Sequence, residues 1–196
     1  MKPILNTNGW LQGLDCRICP SPFFDEREST RAPELVVIHN ISLPAGRFLT
    51  GCVESLFMGT IDLSFHPSFA SLKGLHVSSH FFIDRRGMLT QFVSTEKRAW
   101  HAGVSEFRGR TKCNEFSIGI EVEGSDFVRF EAKQYRRLAQ LLSALTECYP
   151  SLRFVTGHSD IAPGRKTDPG CFFNWLQLQN EPEYPKTLQY CPRTLF

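Results

Sequence analysis

An excess of charge of one sign is missing from this chain: 22 Lys and Arg stand against 20 Asp and Glu, a net charge of +2 with His neutral. Binding along a phosphate backbone draws on a basic stripe, so nucleic acid is not an expected partner. Long hydrophobic runs are missing too. Stretches such as Leu-Val-Val-Ile at 35–38 fall far short of the roughly 20 apolar residues that cross a bilayer, and no membrane partner is expected. The first fourteen residues are interrupted by Pro3, Asn6, Asn8, Gly9 and Gln12, so no apolar export segment forms and a soluble, cytoplasmic protein is expected. Cysteine is scattered: seven residues, an odd number, signal no disulfide framework and read as reduced thiols. Cys16-Arg-Ile-Cys19 has the spacing of half a zinc knuckle or a redox pair, but no second Cys/His pair at matching spacing accompanies it.

What is present is apolar mass. Over 196 residues, 41% are hydrophobic and 17 are Phe, enough for one domain spanning 1–196 with a sizeable core, for which a monomer is the favoured state. Residues 1–33 read as irregular, broken by Gly9, Gly13, Pro20, Pro22 and Pro33. Glu34–Asn40, β-branched and without alternation, suits a central strand covered on both faces. Cys52–Met58 makes a short helix and 59–73 a loop. Leu75–Asp84 and Met88–Ser94 form a hairpin around Arg85-Arg-Gly87, where Gly supplies a positive φ. Phe116–Glu123 alternates, with Phe116, Ile118, Ile120 and Val122 on a core face and Ser117, Gly119, Glu121 and Glu123 on the other. Tyr135, Leu138, Leu142, Leu145 and Tyr149 recur at helical steps over Glu131–Tyr149, which Pro150 ends. Leu152–His158 reads as a strand, 161–170 as a polar loop, Phe172–Leu178 as a helical turn or two, and the tail from Asn180 as irregular. Strands with few helices indicate an α+β (mixed α/β) fold.

Six His occur. His39 and His158 each close a predicted strand where the chain enters a Pro- or Gly-containing loop, a place where ligands and catalytic groups collect. Residues 156–170 concentrate His158, Asp160, Lys166 and Asp168. Asp168, between Thr167 and Pro169-Gly170, is a carboxylate on a stiffened backbone, which can be aimed. Two imidazoles and one carboxylate suit a zinc ion that keeps a fourth position open. The residue types leave open whether Asp160 is a ligand or a support for an imidazole, and strand alternation does not separate Glu121 from Glu123 as a proton-transfer group. Trp100-His101-Ala-Gly103 could flank an amino sugar or its peptide. Arg108, Arg110 and Lys112 form a basic loop that would attract peptide carboxylates.

Five blocks, Val37–Ser42, Val77–His80, Arg98–Gly103, Cys113–Gly124 and Gly157–Gly170, appear in order across roughly residues 33–175. Together they resemble the type-2 N-acetylmuramoyl-L-alanine amidase superfamily, which includes phage amidases and peptidoglycan recognition proteins, and most of all its cytoplasmic branch acting on 1,6-anhydro-muramyl peptides. The resemblance implies a central mixed sheet flanked by helices and a zinc amidase of peptidoglycan recycling whose partner is a soluble muropeptide substrate. It places the metal ligands on His39, His158 and Asp168, the catalytic pair on Glu121 and Lys166, and a substrate contact on Asn40. Within the matched motif, Glu121 rather than Glu123 holds the catalytic position.

Two departures fall in the recognition layer. His76 and Lys112 stand where the branch commonly has Arg residues associated with holding a substrate carboxylate, so charge or bidentate geometry is reduced. The competing expectations are an amidase acting on polymeric cell wall, which would need export, and a recognition module that binds without cutting, which would have lost ligands. A purely structural zinc would more often be closed by four protein ligands.

Overall fold

The computed structural model describes residues 4–28 and 32–193; the outermost parts of the expected irregular ends, and residues 29–31, lie outside that range. Seven strands make a mixed sheet: Cys16–Ile18 (β1), Leu35–Ile41 (β2), Phe81–Ile83 (β3), Leu89–Gln91 (β4), Ser117–Glu123 (β5), Phe154–Gly157 (β6) and Gln189–Tyr190 (β7), in the order β7-β6-β2-β5-β3-β4-β1. All neighbouring pairs run parallel except the β3–β4 hairpin. The helices are Cys52–Phe57 (α1), Ala132–Cys148 (α2), His158–Ile161 (α3) and Trp175–Gln179 (α4), giving the expected mixed sheet flanked by helices.

β2 is central, and Leu35, Val36, Val37 and Ile38 are all fully buried, as a strand without alternation requires. Its residues divide between two apolar layers. Val36 and Ile38, with Ile118, Ile120 and Val122 of β5 and Phe81 and Ile83 of β3, pack against Tyr135, Leu138, Leu142 and Leu145 of α2. Leu35 and Val37 face the opposite side with Ala102, Cys113, Phe116 and Ile161. Each buried Leu contributes roughly 2 kcal/mol through removal from water. The start of α2, which has no Ser or Thr cap, is secured by Gln134: its amide oxygen accepts the Glu131 N–H at 3.0 Å, and its amide nitrogen donates to the Glu123 carbonyl at 2.9 Å.

The hairpin turn forms at Arg85-Arg-Gly87, with Gly87 at φ 81°. The Asp84 carboxylate accepts the N–H groups of Arg86 and Met88 at 2.8 and 2.9 Å. Its strands are shorter than expected; on the first, Ser78 lies outside the ladder, its N–H donating to Trp100 O and its hydroxyl to Phe23 O. The region 59–73 contains a 3-10 turn at Pro67–Leu72.

Both ends of the chain depart from the irregular expectation. β1 joins the sheet edge, Ile4–Leu5 pairs with Leu11–Gln12, and Phe24–Glu26 pairs with Lys97–Ala99. In the tail, β7 pairs with β6 and the Tyr190 ring stacks on Trp175 at 4.1 Å. Two- and three-residue strands are too short for a period to be read, and apart from the Ile4–Leu5 pair with Leu11–Gln12 their partners are distant in sequence. A further correction concerns β5, in which every residue from Ser117 to Glu123 is buried. From Ser117 to Glu123 side-chain direction alternates as expected, but the polar face is roofed by loops rather than exposed, and Phe116, expected on the core face with Ile118, Ile120 and Val122, packs in the opposite layer with Leu35 and Val37. All seven cysteines are free, and burial pushes the Cys16 thiol up to about 12, which disfavours a reactive thiolate. Among the described residues no helix is long and apolar enough to cross a membrane.

Candidate active site

Parallel register assembles the centre. Glu121 of β5 lies opposite His39 of β2, and Gly157 of β6 lies opposite Ile38, so His158 follows immediately on the neighbouring strand. β2 and β5 thus deliver an imidazole and a carboxylate, and the junction of β6 with α3 a second imidazole, toward the carboxyl edge of the sheet, where open α/β sheets bind ligands. His39 is within β2 rather than at its end, and His158 opens α3 rather than closing a strand. Asp160 supports this junction: its Oδ2 accepts the Gly157 N–H at 2.9 Å and the Thr156 hydroxyl at 3.0 Å.

Asp168 comes from the loop that folds back over the junction, with Ser159 N–H donating to its carbonyl at 2.8 Å. His39 Nδ1 and His158 Nδ1 are 2.9 Å apart, and each is 3.0 Å from Asp168 Oδ2. Among the described residues this is the group of His, Cys and acidic side chains able to hold a metal ion. The donor set fits zinc: two imidazole nitrogens and a carboxylate oxygen converge at separations near the roughly 3.3 Å edge of a tetrahedron with bonds of about 2 Å. Burial drives His39 down to about 4 despite its contact with the Asp168 carboxylate, leaving the neutral imidazole that coordination needs. For Asp168 burial opposes ionisation, but its contacts with His158 and His39 outweigh it and hold the carboxyl below its usual range.

Glu121 sits beside this group, with Oε1 3.9 Å from His39 Nδ1. Its Oε2 is buried with no hydrogen-bond partner. Burial, then the Asp168 charge, push its carboxyl well above the ordinary range, with Lys166 opposing. A perturbed, unpaired carboxyl beside a ligand cluster is the kind of group function selects. Glu123 is different: its two oxygens accept the Leu49 N–H at 2.6 Å and the Arg85 N–H at 2.9 Å. Lys166 is exposed on the Asp168 loop, close enough for its charge to act on both His39 and Glu121.

The residues expected to meet substrate have their own partners. Asn40 Nδ2 donates to Asp126 Oδ1 at 2.8 Å and to Pro169 O at 3.0 Å, tying β2 to the Asp168 loop. His76 and Trp100 both stack with Phe23, at 4.7 and 6.3 Å. The Arg110 guanidinium lies over the Phe116 ring at 3.9 Å and pairs with Glu34 at 3.1 Å. Lys112 is exposed, 3.8 Å from a Glu28 carboxylate oxygen.

Sequence reasoning missed Asp126 as a clasp: beyond holding Asn40, its Oδ2 accepts the Thr167 hydroxyl at 2.5 Å, and a Cβ at Gly170 would meet Oδ1 at 2.5 Å. No spacing marks such a residue. It also missed His101 at the metal group, with its Nδ1 3.0 Å from His39 Nε2; the Trp-His-Ala-Gly block held that signal.

A mixed sheet that gathers two imidazoles, a carboxylate and an unpartnered glutamate at its carboxyl edge is an arrangement suited to hydrolytic chemistry. A family model described as N-acetylmuramoyl-L-alanine amidase matches residues 29–171, and the chain belongs to that family. It is 49% identical over 177 residues, 90% of this chain and 96% of its relative, to the 1,6-anhydro-N-acetylmuramyl-L-alanine amidase AmpD of Escherichia coli K12. It is 47% identical over 163 residues, 82% of this chain and 89% of the relative, to AmpD of Haemophilus influenzae. A crystal structure of a selenomethionine AmpD derivative superposes with a TM-score of 0.86 at 47% identity, covering 90% of this chain and 97% of the other.

Proposed function

We propose that the chain is one zinc amidase domain that hydrolyses the amide between the lactyl group of 1,6-anhydro-N-acetylmuramic acid and L-alanine in soluble muropeptides, in the cytoplasm, as part of peptidoglycan recycling. The observation that carries this is the meeting of His39 Nδ1, His158 Nδ1 and Asp168 Oδ2 within 3.0 Å of one another, beside the unpartnered Glu121 Oε2. Similarity to AmpD over nine-tenths of the chain supports the choice of substrate. Zinc held by those three atoms would supply Lewis acidity, polarising a carbonyl and acidifying water.

The remaining work falls to the chain's own side chains. Glu121 Oε2 takes the proton of the attacking water as the new C–O bond forms, then delivers it to the alanine nitrogen as the C–N bond breaks. Lys166 places a positive charge beside the oxyanion that develops on the lactyl carbonyl. Asn40 holds the Asp168 loop and borders the pocket formed with Ser42, Gly46 and Phe127. His76, Trp100, Arg110 and Lys112 are assigned to the outer recognition layer, where the sugar and the stem-peptide carboxylates would lie.

The test is hydrolysis of a 1,6-anhydro-N-acetylmuramyl peptide by the zinc-loaded protein, by the chelated protein and by Asp168→Ala, with metal content measured alongside. Activity should follow zinc, and Asp168→Ala should retain neither. Full zinc occupancy without hydrolysis of this substrate would overturn the enzymatic reading in favour of a binding module.

A further inference from the structure

The two imidazoles of the metal group can serve as ligands only if each presents a bare Nδ1, and a neutral histidine does so only when its proton sits on Nε2. Hydrogen-bond partners decide this, and an acceptor for each Nε2 comes from one short segment, His101-Ala102. His158 Nε2 is 3.0 Å from the Ala102 carbonyl; Arg165 Nη2, 3.4 Å from the same nitrogen, directs its protons to the Ala102 and Val104 carbonyls at 2.6 Å. A carbonyl only accepts, so this nitrogen carries the proton and Nδ1 is bare.

At His39 the proton position is set through three more groups. The Ser117 hydroxyl donates its one proton to the Cys113 carbonyl at 2.6 Å. Its oxygen is then an acceptor toward His101 Nε2, 3.2 Å away, so His101 carries its proton there. A neutral His101 consequently has a bare Nδ1, and that atom is 3.0 Å from His39 Nε2. His39 therefore donates from Nε2, and its own Nδ1 is left bare toward Asp168.

Space for this arrangement is built into β5. Ser117, Gly119 and Glu121 occupy successive positions on one face of the strand. A Cβ at Gly119 would meet His101 Cγ at 2.4 Å and Nδ1 at 2.6 Å, so only glycine leaves room for the ring. Behind it the His80 ring meets His101 edge-on at 5.7 Å, and His80 Nδ1 accepts the Gly119 N–H at 3.0 Å. The segment itself is fixed by Asn114, whose Oδ1 accepts the Ala102 N–H at 2.8 Å, and by Arg165, which donates to the Ala102 carbonyl at 2.6 Å.

We propose that His101 and Ala102 act together as a tautomer clamp: the His101 ring and the Ala102 carbonyl take the Nε2 protons of His39 and His158, so that both Nδ1 atoms face Asp168 and a divalent cation. This deepens the proposed function and rests on its metal site. His101 is a positioning residue, because it acts on the cation through His39. Its removal weakens metal binding by the margin typical of partners one step out from the ligands, about 10–100-fold.

The experiment compares the full-length parent, His101→Leu and His101→Asn for zinc affinity by competition with a chromophoric chelator. Near-ultraviolet circular dichroism serves as the check of fold. Asn restores an acceptor oxygen near the place of His101 Nδ1 and should bind zinc within a few-fold of the parent, whereas Leu should lose ten- to a hundredfold. Long-range proton–nitrogen spectra of the chelated parent should show His39 and His158 protonated on Nε2, and Ser117→Ala should give a mixture of tautomers at His39. Zinc binding by folded His101→Leu as tight as the parent's, or an Nδ1 proton on His39 in the parent, would overturn the clamp. Equal losses in the Leu and Asn variants would also overturn it, reducing His101 to packing. A parent that binds no zinc while its spectra show both Nε2 protons would instead sink the metal site and leave the hydrogen-bond pattern standing.

Discussion

Acid should destabilise the metal-free protein through its buried histidines, and His80 isolates the effect because it is not in the ligand group. His80 is fully buried, its Nδ1 accepts the Gly119 N–H and its Nε2 lies 3.0 Å from the Lys97 carbonyl. Burial, reinforced by the Arg27 charge and opposed by that carbonyl, takes it from 6.5 down to about 3. Between those values the unfolded chain binds a proton at this residue and the native protein does not, so stability rises with pH. The contribution is complete above about 6.5 and is lost as pH falls toward about 3; its full span is about 5 kcal/mol. From pH 7 to pH 5 the share is about 2 kcal/mol. His39 acts in the same direction, while Glu121, which keeps its proton longer in the native state, acts oppositely above about 4.5. His80→Asn keeps an acceptor for the Gly119 N–H but cannot titrate, so its difference from the parent cancels the other groups. Urea unfolding of both chelated proteins at pH 7 and pH 5 should therefore show the variant losing about 2 kcal/mol less than the parent. Equal losses would refute the assignment of a neutral, buried His80.

Two carboxylates on one strand face should separate cleanly. Glu121→Gln should lower turnover by a factor on the order of 10² to 10⁴ with zinc content unchanged, whereas Glu123→Gln, which weakens the hold on the Leu49 and Arg85 N–H groups, should cost about 1–3 kcal/mol of stability with turnover per folded molecule preserved; a larger catalytic loss in the second would exchange their roles. Lys166→Met should reduce kcat with little change in KM, because its charge acts on the developing oxyanion. A rise in KM with kcat intact would make Lys166 an anchor for a substrate carboxylate.

The strands and helices that carry the architecture were legible because their patterns are local. β2 reads as doubly covered from Leu-Val-Val-Ile alone, α2 from the recurrence of Tyr135, Leu138, Leu142 and Leu145, and the hairpin from Arg-Arg-Gly. Five short blocks in order, those around His39, Glu121 and His158–Asp168 among them, carried the family resemblance. β1 and β7 were illegible because each is two or three residues long and is stabilised by a partner strand far away in the chain.

Sequence by itself determined which residue types were available to a metal and which face of β5 would bear Glu121 and Glu123, since side-chain alternation is a property of the extended backbone. Only the tertiary structure distinguished those two glutamates, leaving one oxygen of Glu121 unpartnered while both oxygens of Glu123 accept backbone N–H groups. It also brought His101 and Ala102 to the far nitrogens of two histidines that stand 119 residues apart in the chain. Hydrogen-bond partners, burial and the resulting proton positions depend on which loops cross the sheet edge, and that is decided by long-range packing rather than by any period or spacing in the sequence.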